Sequence, residues 1–331
     1  MNKLNKAILK LSAVTGLTLS VWLPQTALAD NYPNKPVNFV VGFGVGGSAD
    51  RMTRAMSSSV AEELGHPVKV INKTGAGTQI AANYVLNRPD DGYTVFASTF
   101  VPYLPNTILK GNASYTINDF SYMNFQWFDF ELIAVNKDTP YQDLPSLLTA
   151  IKENPKSVKA AVLQGSGGHL MAKILLEKNG IPQDNLNLVT FNSGGKARSA
   201  VAGGQVDFMI VSAQGSEGIR EFIRPLAVVR DNRSDYWDAP TINEALKPMG
   251  IEVPVLTGSM RGFAVTNEFK NKYPERYNKL AHAFERALAR QEVQQLLKSN
   301  EIGGVWVGPE RATQMMLDNY QAFETYKHLL D

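Results

Sequence analysis

The period of the apolar positions switches repeatedly along the chain. Val37–Val41 is a short, β-branched run that predicts a strand. Residues 50–64 place Met52, Met56, Val60 and Leu64 four apart, which predicts an amphipathic helix. Gly65 and Pro67 then supply a C-cap and a stop. A strand at 68–71, a helix after Gly75-Ala76-Gly77 running to about Asn87, a Pro89-Asp90-Asp91-Gly92 turn and a strand at 93–97 follow. The scheme then repeats. Strands are predicted at 131–135, 158–163, 186–190, 206–211 and 225–229. Helices are predicted at 144–151, with Asp143 as N-cap, at 169–178 and at 196–202. A strand at 262–265 leads into helices at 274–289, 292–299 and 309–330. Strands alternating with helices predict the α/β class.

The two runs share a strand–glycine loop–helix grammar, and no low-complexity linker separates them. That predicts two α/β lobes joined by crossing strands near 129–135 and 252–263. Lobe 1 would comprise 30–128 plus 252–331, and lobe 2 would comprise 129–251. Residues 1–29 are set aside. Lys3, Lys6 and Lys10 precede an apolar run at 11–23 and then Ala27-Leu28-Ala29, the pattern of a signal peptide cleaved after Ala29. The run is short for a bilayer span, where roughly 20 residues are needed, so an uncleaved anchor is the weaker alternative.

Composition narrows the function classes. The 33 Lys and Arg balance 31 Asp and Glu, and three of the lysines lie in the leader, so no basic surface points to nucleic acid. Cysteine is absent, which excludes disulfides, a Cys-His dyad, a cysteine-rich zinc site and a lipoprotein anchor. The four histidines, at 66, 169, 282 and 328, form no metal-binding spacing.

Four segments share one design: Gly42-Phe43-Gly44-Val45-Gly46-Gly47-Ser48, Thr74-Gly75-Ala76-Gly77-Thr78, Gln164-Gly165-Ser166-Gly167-Gly168-His169 and Asn192-Ser193-Gly194-Gly195. Each follows a predicted strand, and most precede a helix. The first N–H groups of a helix are unpaired and carry partial positive charge, so such loops suit anions. In open α/β sheets the crevice beyond the strand C-termini is the expected ligand site. Gly42, Gly44 and Gly47 also satisfy G-x-G-x-x-G, but the second strand ends at Asn72-Lys73 without the acid that a dinucleotide site needs.

Catalytic patterns are thin. Ser166 lies in Gly165-Ser166-Gly167, which is not a nucleophile elbow, and His169 lacks an evident acid to orient it. His169 fits a locally bonded helix start, with ligand contact as the alternative. Asp207 fits a structural acceptor for backbone N–H groups, again with ligand contact as the alternative. Phe43, Phe100, Trp127 and Phe191 lie on or near these loops, and each also fits a core position.

Several motifs together carry a resemblance. They are Tyr32-Pro33-Asn34-Lys35-Pro36-Val37, Val40-Val41-Gly42-Phe43, Gly46-Gly47-Ser48-Ala49-Asp50, Gly75-Ala76-Gly77 and Pro89-Asp90-Asp91-Gly92-Tyr93-Thr94. Gly165-Ser166-Gly167-Gly168-His169-Leu170 and Gly203-Gly204-Gln205-Val206-Asp207 complete the set. In order and spacing they resemble the Bug/TctC receptors of tripartite tricarboxylate transporters. The resemblance implies a type II periplasmic-binding fold, a periplasmic location, no reaction, and no metal or organic cofactor. It implies a mono- or dicarboxylate ligand held mostly by backbone N–H groups, hydroxyls and water. The implied contacts are Phe43, Gly46, Gly47, Ser48, Thr78, Ser98, Thr99, Ser166, Gly167, Gly168, Asn192 and Ser193. The implied partner is a two-subunit membrane permease driven by an ion gradient, with a monomer as the default state. Presentation of the ligand to a sensor kinase is an alternative, and a secreted hydrolase or transferase a weaker one. The chain departs from the family's P-F-x-P-G-G at Gly42 and Val45. Losing each proline leaves the free loop more conformations, at a cost of about 0.4–1 kcal/mol per site.

Overall fold

The computed structural model of the protein describes residues 31–111 and 113–330; the predicted signal peptide lies outside them. The elements, in chain order, are β1 (Val37–Val41), α1 (Ser48–Leu64), β2 (Val68–Asn72), α2 (Gln79–Leu86), β3 (Thr94–Val101), α3 (Tyr103–Leu109) and β4 (Phe120–Phe128). Then come β5 (Glu131–Asn136), α4 (Leu144–Glu153), β6 (Lys159–Leu163), α5 (Gly167–Lys178), β7 (Asn187–Phe191), α6 (Gly194–Ala202), β8 (Phe208–Ser212), β9 (Ile223–Val228) and α7 (Ile242–Leu246). β10 (Met260–Thr266), α8 (Asn267–Lys272), α9 (Pro274–Ala289), α10 (Gln291–Ser299) and α11 (Gly308–Thr325) complete the chain.

Two five-stranded sheets result, ordered β2-β1-β3-β10-β4 and β7-β6-β8-β5-β9. The three strands β2-β1-β3 and the three strands β7-β6-β8 are parallel. In both trios the chain runs from the middle strand to one edge and then crosses to the other side, which creates a switch point where ligands bind in open sheets. β10 runs antiparallel to β3 and β4, and β5 antiparallel to β8 and β9. The first sheet takes strands from residues 37–128 and 260–266, the second from 131–228. The described residues from Pro33 onward form one compact unit.

The chain crosses between the sheets twice, and the two crossings touch. Asp129 N–H donates to Ser259 O at 3.1 Å. A Cβ on Gly258 would lie 2.2 Å from Asp129 O, so the segments pack backbone to backbone. Behind the first sheet, Phe284 of α9 stacks on Phe39 at 5.3 Å and meets Phe263 at 4.5 Å between ring centroids. Phe100, placed on the loops by sequence as a possible ligand cover, is core: it packs against Phe96, Tyr122 and Phe125. Among the described residues no helix is long and apolar enough to cross a membrane.

Several expected boundaries move. β3 runs on to Val101 rather than ending at 97, and α11 stops at Thr325 rather than 330. β4 and α3 have no counterpart in the sequence reading. β4 is buried along both faces, so its alternation is lost, and its polar members serve another segment. Asn124 Nδ2 donates to Val305 O, its Oδ1 accepts from Val307 N–H, and Gln126 Nε2 donates to Gly303 O. Buried amides paired in this way cost little, but in sequence they look like loop residues.

Candidate functional site

All four glycine-bearing segments sit at strand C-termini, and they pair up around two cavities. A cavity of about 430 Å³ is lined by Phe43, Gly46, Gly47, Ser48 and Thr99 from the first sheet's loops, and by Asn192, Ser193, Gly194 and Gly195 from the second's. A smaller one, about 200 Å³, is lined by Ala76, Gly77, Gln164 and Gly165, with Lys110, Asn106 and Thr107. Tyr103, at the start of α3, lines both. Its ring packs edge-on to Phe43 at 5.1 Å.

The first loop spends part of its donor set on itself. Gly46 N–H donates to Asp50 Oδ2 at 2.9 Å, and Gly47 N–H to Gly44 O. Gly46 adopts φ 79°, a left-handed conformation that glycine takes without strain. Asp50 also accepts from Arg54 Nε and Asn72 Nδ2. Burial works against its charge, but the bonds from Arg54, Asn72 and Gly46 prevail and hold its carboxyl below the ordinary carboxylate range. Asp50 therefore fastens the loop to α1 and β2.

The third segment is closed from within. Gly168 N–H at the start of α5 bonds the carboxylate of Glu131. A Cβ on Gly167 would sit 3.0 Å from Glu131 Oε1. Ser166 Oγ accepts from His169 N–H as the N-cap, and His169 Nδ1 accepts from Gly165 N–H. Both contacts run between a side chain and a backbone N–H. Ser166, Gly167, Gly168 and His169 are buried off the wall of the large cavity because the protein's own acid fills the helix terminus. Thr78 and Ser98 are likewise displaced from the expected contact set: their hydroxyls bond each other at 2.8 Å beneath Gly42. Asp207 takes Lys159 N–H at 2.7 Å, at the strand ends away from the glycine loops. Phe191 packs against the apolar cluster of the second sheet.

Besides Trp127, which the sequence placed near the loops, the cavity holds side chains that the sequence did not single out. Arg51, Arg198, Arg261, Trp127, Asp129, Gln214 and Glu301 all line it. Arg261 of β10 is 6% exposed. Its Nε donates to Ser48 Oγ at 2.8 Å, its Nη2 lies 3.8 Å from Asp129 Oδ2, and its guanidinium stacks 4.5 Å from the Trp127 ring centre. Arg51 approaches the same ring at 5.4 Å. Such stacking favours cations on an indole face. Arg198 is committed to the 212–216 loop: Nη2 donates to Ser212 O and Gln214 O, and Nε to Ser216 Oγ. That loop reaches the first sheet, where Gln214 accepts from Trp127 Nε1 at 2.7 Å and donates to Glu301 O.

Two acids sit beside Arg261. Burial, then the charge of Asp129, pushes the Glu131 carboxyl up to about 8, against the pull of Arg261 and Gly168 N–H. Burial also raises Asp129, although Arg261 and the N–H groups of Phe130 and Gln214 oppose it. Burial and the charge of Glu131 push the Tyr103 phenol up to about 12. Among the described residues no cluster of His, Asp and Glu suits a metal ion.

The family model described as the tripartite tricarboxylate transporter family receptor, TctC, matches residues 52–324. This chain belongs to that family. It is a family of substrate-binding receptors rather than enzymes. The chain is 28% identical to the protein BugT of Bordetella pertussis over 252 residues, covering 74% of this chain and 76% of BugT. A TctC solute-binding protein from Polaromonas, solved without ligand, superposes with a TM-score of 0.68 at 25% identity over 90% of this chain and 98% of that one. MatC from Rhodopseudomonas palustris with bound malate gives 0.71 at 23%, over 89% of this chain and all of MatC. The fold is that of the periplasmic binding proteins, with two α/β lobes about a central cleft. In this TctC receptor, Arg51, Arg198 and Arg261 line the cleft wall beside the backbone N–H groups and hydroxyls.

Proposed function

We propose that this receptor captures a small mono- or dicarboxylate in the 430 Å³ cavity between its two sheets and delivers it to a two-subunit, ion-gradient-driven membrane permease. The observation that carries the reading is the convergence of Gly46, Gly47 and Ser48 from one sheet with Asn192–Gly195 from the other on one cavity bearing three guanidinium groups. Gly194 and Gly195 open α6 and bring the positive end of its dipole to the wall. Phe43, Thr99, Asn192 and Ser193 are the further proposed contacts. MatC holds malate, which fits this chemistry. The residues on each side of the crossings at 129–130 and 258–259 act as lobes that close over the guest. The chain is taken to work in the periplasm after removal of residues 1–29, as a monomer without a cofactor.

The test is thermal melting in a panel of malonate, succinate, malate, glutarate and adipate, with their amides, sugars, amines and divalent metals as controls. A carboxylate at 100 times its Kd stabilises by about 2.7 kcal/mol, which raises the midpoint by roughly 4 °C for a protein of this size. A rise with sugars, amines or metals alone contradicts the reading. The permease is tested separately, by ligand-dependent capture of the receptor on its membrane subunits.

A further inference from the structure

The inference concerns how the cavity recognises charge, and it rests on the carboxylate reading above. Arg261 is the one charged residue of β10, whose other members are apolar, glycine or threonine. β10 lies between β3 and β4, and Arg261 begins just past the second crossing between lobes. Its Nε donates to Ser48 Oγ, and Nη2 lies at ion-pair distance, 3.8 Å, from Asp129 Oδ2. Nη1 is buried and has no hydrogen-bond partner among the described residues. Asp129 Oδ2 and Glu131 Oε2 are also buried without a hydrogen-bond partner. A buried guanidinium N–H left unpaired is costly, and a charged donor of this kind forms its strongest bonds with a carboxylate.

We propose that Arg261 is the anion anchor of this receptor: the carboxylate of the guest takes the unpartnered Nη1 edge, while Ser48, Asp129 and the Trp127 face hold the guanidinium in place. Ser48 Oγ accepts from Nε, so its own O–H remains a donor for the same carboxylate. Asp129 and Arg261 both line the cavity, and Arg198 and Arg51 add positive charge on its other walls. Arg198 cannot take the anchor's role as readily, because its Nε and Nη2 order the 212–216 loop. The neighbouring acids set a direction. A second carboxylate on the guest is repelled from Asp129 and is directed to the α6 amides at Gly194 and Gly195. The anchor lies next to the touching crossings, since Ser259 O accepts from Asp129 N–H. Charge capture and lobe closure therefore share one neighbourhood.

The test measures affinity by calorimetry for the panel carboxylate that binds the protein most tightly and for its monoamide. Arg261→Lys keeps a cation but loses the planar fork, and its carboxylate affinity is expected to fall at least about tenfold. Arg261→Met combined with Asp129→Asn removes the pair together, so no unpaired buried charge is left to unfold the protein. Its carboxylate affinity is expected to fall about 100-fold, and its preference for carboxylate over amide is expected to disappear. If the wild-type protein binds the carboxylate and both variants bind it within threefold of wild type, the anchor is wrong while the function stands. If the wild-type protein binds no member of the panel, the function falls and the anchor with it.

Discussion

Replacing Glu131 with glutamine is expected to leave the protein nearly unchanged in stability at pH 5 and to stabilise it progressively up to pH 9. In the native state burial beneath α5 keeps the Glu131 proton until about pH 8, whereas the ordinary value is 4.5. Between those limits the native state binds more protons than the unfolded chain. Stability then falls as pH rises, and it levels off above the native value. Glutamine keeps an oxygen for Gly168 N–H and never ionises, so it removes the loss. Each pKa unit corresponds to ~1.4 kcal/mol, and a gain on the order of 2 kcal/mol by pH 9 is expected once the proton coupling to Asp129 is allowed for. Melting curves of both proteins from pH 5 to pH 9 provide the check. Parallel curves across that range would show that the carboxyl titrates as an exposed one does.

Gly168→Ala is expected to lower the melting temperature by roughly 4–6 °C, corresponding to about 3 kcal/mol. The alanine Cβ would lie 2.1 Å from Ile210 O and 3.1 Å from Ile210 Cγ2. The first of these is backbone of β8 and cannot rotate away, so α5 must lift from the sheet. Ile210 is fully buried, and Met171 and Ile174 of α5 are too, so the shift opens the core. Gly195→Ala is the control. Its Cβ meets nothing within 4 Å and its φ is not left-handed, so a change within about 0.5 kcal/mol is expected. Equal midpoints for the two variants would mean that α5 does not sit on β8 as closely as described.

The alternation of strands and helices was readable because most elements keep one period for their whole length. α1 is an example, with Met52, Met56, Val60 and Leu64 all buried. β4 was not readable, since burial on both faces erases alternation and Asn124 and Gln126 take partners about 180 residues away. The glycine loops were readable as a class, but not their division between two cavities, which depends on where Tyr103 stands. The ion cluster was hidden for a related reason. Asp129, Glu131 and Arg261 span more than 130 positions, and the two crossings bring them together beside Arg198 of α6. A local signal was present all the same: Glu131 opens a strand that is apolar from Leu132 to Val135, and Arg261 is the one charge in β10. A charge inside a strand buried along its whole length needs a partner or a function.

Diffraction from crystals grown with the carboxylate that most raises the melting temperature tests the central idea most directly. Density for that molecule is expected in the 430 Å³ cavity, with one carboxylate at Arg261 and the rest directed toward Asn192–Gly195. Density confined to the smaller cavity behind Tyr103, or to an outer face of either sheet, would contradict it.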